Sequence, residues 1–187
     1  MPQRWMRQLP NALTIMRMLL VVPIAWLLLA ERFGQALGLF ALAGASDALD
    51  GFLARRFAWT SRVGAMIDPL ADKLLLVTSY LCLSITQVIP WWLTVLVLAR
   101  DTFIVTGVML YRHLVGALRI APTVLGKLST VMQILLVLVA LIELSVWAAF
   151  ADYRPLLIVA VAVLAICSAA QYGWQGWRHY RHARTLE

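Results

Sequence analysis

Residues 47–55 read Asp-Ala-Leu-Asp-Gly-Phe-Leu-Ala-Arg, and residues 64–73 read Gly-Ala-Met-Ile-Asp-Pro-Leu-Ala-Asp-Lys. Four of the nine acidic residues of the chain, Asp47, Asp50, Asp68 and Asp72, fall in these two stretches. Asp47 and Asp50 stand at i, i+3, and Asp68 and Asp72 at i, i+4, so each pair shares one face of a helix. Both stretches lie at the ends of apolar runs, and the link at 56–62 is short enough to make the two helices antiparallel neighbours. The four carboxylates then converge at one end of a helical hairpin. Gly51 and Ala54 on the first helix and Gly64 on the second are small, which lets a ligand or another helix approach the backbone.

Outward from that hairpin, the chain is greasy. Of its 187 residues 63% are apolar and 13% charged, with a mean hydropathy of +0.84, against about 45–50% and about 25% in soluble domains. A disordered chain is excluded, and an integral membrane protein is expected. Six apolar runs, at 9–30, 35–55, 63–86, 90–111, 124–148 and 155–174, each approach the length of about 20 residues that a spanning helix needs. They are continuous rather than alternating, which excludes a β-barrel. The expectation is an all-α integral membrane protein of six transmembrane helices forming one domain over 1–187.

The connections alternate in charge. Arg4, Arg7, Arg55, Arg56, Arg62, Arg112, Arg119, Arg178, Arg181 and Arg184 fall on one side, and Glu31 with Arg32, residues 87–89 and Asp152 with Arg154 on the other. The positive-inside rule puts the basic side and both termini in the cytoplasm. Trp91, Trp92, Trp147, Trp174 and Trp177 stand at span ends, where amphipathic rings favour the membrane interface. Arg4 and Arg7 before the first run mimic a signal peptide, but no small-residue cleavage site follows, so a retained first span is expected. The net charge of +7 is better explained by topology and anionic lipid than by nucleic acid. Cys82 and Cys167 lie in apolar runs and offer neither a disulfide framework nor a zinc site. His113, His179 and His182 read as basic residues at the membrane edge.

Four neighbouring carboxylates cannot all stay ionised in a low dielectric without cations, and charges inside a membrane segment carry function by default. Clustered hard oxygen ligands suit Mg²⁺, Mn²⁺ or Ca²⁺. Four of them on two helices suit two ions, and paired divalent ions suit phosphoryl chemistry on a diphosphate. Arg55 adds a planar fork for phosphate oxygens. The competing reading has the aspartates paired with Arg55, Arg56, Arg62 and Lys73 merely to hold helices together. A transporter would place acidic residues nearer midplane and spread them over more spans. A membrane prenyltransferase would be longer, with its aspartate motifs far apart.

Written as Asp47-x2-Asp50-Gly51-x2-Ala54-Arg55-x8-Gly64-x3-Asp68-x3-Asp72, the two stretches resemble the signature of the CDP-alcohol phosphotransferase family at all eight fixed positions. The opening Leu9-Pro10-Asn11-x-Leu13-Thr14-x2-Arg17 is similar to the first helix of that family's phosphatidylglycerophosphate and cardiolipin synthase branch, as is Asp68-Pro69-Leu70-Ala71-Asp72-Lys73. The likeness covers about residues 9–135, and the last span resembles the family by hydropathy alone. The resemblance implies a six-helix, usually dimeric fold with a polar pocket open to the cytoplasm. Short loops and no presequence make the bacterial inner membrane the expected location. The resemblance also implies transfer of a phosphatidyl group from CDP-diacylglycerol to an alcohol, with CMP leaving. By carry-over, Asp47, Asp50, Asp68 and Asp72 bind two divalent ions (Mg²⁺ or Mn²⁺) and Asp72 is also the general base. Asp47, Gly51, Ala54, Arg55 and Gly64 shape and bind the CDP moiety.

Two acceptors compete, phosphatidylglycerol and glycerol 3-phosphate. Val88-Ile89-Pro90-x2-Leu93-Thr94, Ala99-Arg100-Asp101, Tyr111-Arg112 and Pro122-Thr123-x3-Lys127-x2-Thr130-x2-Gln133 look more like the phosphatidylglycerol-using enzymes. Arg119 and Lys127 are the candidate contacts for the acceptor phosphate, with a loop charge as the alternative for Arg119. Arg100 is a candidate acceptor contact or half of an ion pair with Asp101. Arg17 reads equally as a snorkelling residue or a phosphate contact, and Glu143 has no partner legible in the sequence.

Overall fold

A computed structural model of the chain describes residues 9–57, 64–114 and 123–184. The side chains at 9–14, 48, 50–57, 64–69, 108, 110–114, 177 and 179–184 lie outside the described set. Among the described residues six long α-helices follow one another: α1 (Leu9–Leu29), α2 (Phe33–Phe57), α3 (Gly64–Ile85), α4 (Trp91–Leu114), α5 (Val124–Ser145) and α6 (Tyr153–Arg184). A short 3-10 turn, Ala148–Phe150, precedes α6, and there is no strand among the described residues. Each helix matches one apolar run of the sequence. The largest departure is α6, which continues ten residues past Trp174 through a polar, basic tail. Helical hydrogen bonding does not stop where hydropathy does.

Among the described residues two helical segments, Val124–Ser145 and Tyr153–Gly176, are long and apolar enough to cross a membrane by composition, and Ile15–Leu29 is a shorter apolar helix. Charges stand within the apolar lengths of the remaining helices as well: the aspartates in α2 and α3, and Arg100 with Asp101 in α4.

The chain divides into two compact units. The first holds α1, α2, α3 and the second half of α5. Here α1 packs extensively against both α2 and α3. Arg17, Ile24, Leu27 and Leu28 are buried on one side of α1, while Ile15, Leu19, Val22, Trp26 and Leu29 are exposed on the other. The exposed stripe follows i, i+4, i+7, i+11 and is fully apolar. A soluble helix would be polar there. Tyr80, Leu83, Val137, Ala140 and Leu141 complete this core.

The tight turns of this unit are set by helix ends. Arg32 N–H donates to the Leu27 carbonyl (2.9 Å) and Glu31 N–H to that of Leu28 (3.1 Å). Val88 N–H donates to Leu83 (2.8 Å) and Gln87 N–H to Ser84 (3.1 Å). Both are paired 6→1 and 5→2 closures that satisfy the last carbonyls of a helix and need a left-handed residue at the pivot. Glu31 (φ 56°) and Gln87 (φ 61°) supply it, although neither is glycine.

The second unit holds α4, the first half of α5 and α6, with α4 packed along α6. Ile89, Leu93, Val97, Leu136, Val161 and Ala165 form its core. Buried hydroxyls in both units are satisfied locally. Ser79 Oγ donates to the Leu75 carbonyl (2.8 Å) and Ser168 Oγ to that of Ala165 (3.0 Å), as a low-dielectric interior demands.

Candidate active site

Asp47 lies in the second half of α2, and Asp72 lies two turns into α3. The helix that joins them is α1. Arg17 Nη2 contacts Asp47 Oδ1 at 2.7 Å, and Arg17 Nη1 donates to Asp72 Oδ1. One guanidinium therefore holds a carboxylate from each of two helices on its two outer nitrogens, the fork geometry to which arginine is suited. The side chain of Arg17 is 1% exposed, whereas Asp47 and Asp72 are 46% and 47% exposed. The cation sits behind the carboxylates, and nearly half of each carboxylate side chain remains open.

This corrects the sequence reading in one respect. The aspartates of α2 and α3 are not linked by the hairpin alone, because α1 packs on both helices and Arg17 ties them. Arg17 is neither a snorkelling edge residue nor exposed. The sequence signal was present: a lone arginine inside an apolar run must find an anion. The spacing of 55 residues to Asp72 hid which one.

Asp50, Gly51, Ala54 and Arg55 occupy the helical turns of α2 after Asp47, and Gly64 and Asp68 the first turns of α3. Their side chains lie outside the described residues. Arg119 lies wholly outside them. Among the described residues no group of three or more His, Cys, Asp or Glu surrounds a common point. What is described of the foreseen ligand set is the pair Asp47 and Asp72. Its chemistry fits a hard divalent cation, with two half-open carboxylates on separate helices oriented by a common donor.

The second unit has its own polar centre. Arg100 Nη1 pairs with Asp101 Oδ1 at 2.7 Å, and the two side chains are 7% and 10% exposed. Arg100 Nε donates to Ser168 Oγ of α6 (2.9 Å), and Nη2 faces the Gly126 carbonyl of α5 at 3.5 Å. Thr123 caps α5, its Oγ1 accepting from the Gly126 N–H (3.0 Å), the standard N-cap bond. The Thr123 N–H in turn donates to the Tyr172 hydroxyl (3.2 Å). A Cβ at Gly126 would lie 3.1 Å from both Thr123 Oγ1 and the Tyr172 oxygen, so a larger residue there has to push these side chains back by a few tenths of an ångström. Lys127, next in sequence, is exposed. Beside this network α4 and α6 enclose a groove of about 720 Å³, walled by Leu96, Ala99, Phe103, Ala165, Ala169 and Gly173 among others. Ser168 and Tyr172, which complete the network, were not foreseen. Nothing in an apolar run marks which hydroxyl will meet a distant arginine.

The described residues are almost wholly helical, with carboxylates from two largely apolar helices gathered at one buried arginine. The family model for CDP-alcohol phosphatidyltransferases matches residues 7–170, and the chain belongs to that family. Among curated proteins it is similar to a rat protein named cardiolipin synthase (CMP-forming), 35% identical over 144 residues, covering 68% of this chain and 48% of that one. It is similar to the protein of that name from Streptomyces coelicolor, 38% identical over 112 residues, covering 56% and 52%. It is also similar to a protein of Mycobacterium tuberculosis named probable phosphatidylglycerophosphate synthase, 37% identical over 133 residues, covering 67% and 61%. The chain spans about half the length of the first of these relatives.

Proposed function

We propose that this chain is an integral membrane phosphatidyltransferase that moves a phosphatidyl group from CDP-diacylglycerol to the hydroxyl of phosphatidylglycerol, forming cardiolipin and releasing CMP. The observation that carries the reading is the gathering of Asp47 and Asp72, members of the eight-position signature, at one guanidinium with their outer sides open. Relatives named cardiolipin synthase on one side and phosphatidylglycerophosphate synthase on the other support the reaction class. The sequence likeness of α4 and α5 favours phosphatidylglycerol. Glycerol 3-phosphate is the second reading, favoured by the mycobacterial relative.

In this reading Asp47, Asp50, Asp68 and Asp72 hold two divalent ions, Mg²⁺ or Mn²⁺. When bound, such ions neutralise the diphosphate and the charge on departing CMP. Asp72 accepts the proton of the acceptor hydroxyl, which is a poor nucleophile without a base in reach. The Arg17 fork holds Asp72 and Asp47 in place, which matters because a modest base suffices only when the hydroxyl is held in line. Gly51, Ala54 and Gly64 leave room for the nucleotide, and Arg55 binds its phosphates. Lys127, exposed on the first turn of α5, and Arg119 contact the acceptor phosphate. For Arg100 the geometry supports the ion-pair alternative, since its nitrogens are engaged by Asp101, Ser168 and Gly126.

The apolar outer stripes of the helices support six spans, and the distribution of arginines supports cytoplasmic termini and a cytoplasmic site in a bacterial inner membrane. The chain acts as one catalytic domain and as a homodimer.

The test is CMP release by purified protein with CDP-diacylglycerol and Mg²⁺ or Mn²⁺, run in parallel with phosphatidylglycerol and with glycerol 3-phosphate. Release with phosphatidylglycerol alone, with cardiolipin as product and abolished by chelator, is expected. Release with glycerol 3-phosphate alone replaces the acceptor, and no release with either removes both readings.

A further inference from the structure

Arg17 is the most deeply buried charge described in the chain, and it touches two members of the signature from behind. We infer that Arg17 is a resident counter-cation of the carboxylate site: it stands in for a divalent ion when none is bound, and it sets how weakly that ion is held. The inference rests on the proposed role of Asp47 and Asp72 as metal ligands.

Two carboxylates brought to one point repel, and without a positive charge between them their helices would be pushed apart. A guanidinium cannot lose its own proton, so the compensation by Arg17 is permanent. It also reaches both helices at once, which a lysine ammonium does less well. The placement separates the two cation positions. Arg17 is 1% exposed and lies on the inner side, while the open half of each carboxylate faces outward. An incoming divalent ion meets the carboxylates from the outer side and leaves Arg17 where it is. A divalent ion held on that side would share its carboxylates with a fixed positive charge. That repulsion is large in Coulomb's law even at an intermediate dielectric, and it outweighs the small gain from pre-orienting two short aspartate side chains. Arg17 is thus a positioning residue that keeps the site folded without metal and keeps metal exchangeable.

The experiment uses full-length protein in detergent without substrate, as wild type, Arg17→Gln and Arg17→Lys. Mn²⁺ binding is read from the loss of the free-ion electron paramagnetic resonance signal. Thermal unfolding is read in chelator and in saturating Mn²⁺. Arg17→Gln is expected to bind Mn²⁺ about tenfold tighter or more, as loss of a nearby positive charge requires. It unfolds earlier than wild type in chelator, and saturating Mn²⁺ closes that gap. Arg17→Lys, which keeps the charge and folds without added metal, stays within about threefold of wild-type affinity, the scatter expected of a single contact. Unchanged or weaker Mn²⁺ binding by Arg17→Gln overturns the inference. So does a loss of stability that Mn²⁺ does not restore, including failure to recover the variant in Mn²⁺; Arg17 is then a helix clamp and no more. Absence of Mn²⁺ binding by the wild type overturns the metal-ligand reading itself, and the inference falls with it.

Discussion

Replacing Arg100 with alanine removes one half of an ion pair whose members are 7% and 10% exposed. At the 2.7 Å contact between Nη1 and Oδ1 the charge centres lie roughly 4 Å apart, where the attraction is about 4 kcal/mol at the effective dielectric of protein sites. Removing one partner of such a pair costs about 3–5 kcal/mol, because the other charge stays buried. The lost donation to Ser168 adds about 1 kcal/mol. For a chain of this size each kcal/mol shifts the unfolding midpoint by about 2–4 °C, so Arg100→Ala is expected to unfold about 10 °C or more below wild type in the same detergent. The double variant Arg100→Leu, Asp101→Leu removes both charges and is expected to recover much of that loss, as replaced buried pairs do. Differential scanning fluorimetry on the three proteins gives the midpoints, and acceptor-dependent CMP release gives KM. A midpoint within 2 °C of wild type, together with an acceptor KM raised tenfold, would refute the bracing role and return Arg100 to the acceptor site.

Asp72→Asn is expected to abolish transfer while CDP binding, measured by calorimetry, persists; near-normal turnover removes Asp72 as the base. Lys127→Ala and Arg119→Ala are expected to raise the acceptor KM several-fold with little change in kcat, and an unchanged acceptor dependence returns both to the membrane-topology role. Gln87→Gly relieves a left-handed non-glycine residue and is expected to stabilise the chain by about 1 kcal/mol, read as a raised unfolding midpoint. Gly126→Ala pushes a methyl to 3.1 Å from Thr123 Oγ1 and the Tyr172 hydroxyl and is expected to cost about 1–3 kcal/mol, as overpacking does, with a lowered midpoint.

The helices were legible because six apolar runs of bilayer length leave the backbone no other way to satisfy its hydrogen bonds. Asp47 and Asp72 were legible for the converse reason: a charge in an apolar run is costly and needs a partner. The pairing of Arg100 with Asp101 could be foreseen because the two are adjacent in sequence. Ser168 as partner of Arg100 and Tyr172 as partner of Thr123 could not, since they depend on how α6 lies against α4 and the start of α5. Arg17 was the informative miss. Its charge was visible, but its anions lie on two other helices, and only packing of α1 against both reveals them. The pivots at Glu31 and Gln87 escaped because glycine or asparagine is the usual mark of a left-handed helix end, and neither stands there. The polar tail of α6 escaped because hydropathy measures affinity for lipid and is blind to helicity beyond it.

The bridge from Arg17 to Asp72 also fixes an order in time. Arg17 emerges from the ribosome 55 residues ahead of Asp72, an interval of about 3–11 s at about 5–20 residues per second. Until α2 supplies Asp47 and α3 supplies Asp72, that guanidinium lacks one or both of its anions, at a cost of about 2.5–3.5 kcal/mol if the residue sits deep in lipid. In that order of synthesis α1 gains both of these partners only when α3 arrives. The joining of α2 to α3 and the burial of Arg17 become one event, timed by the synthesis of α3.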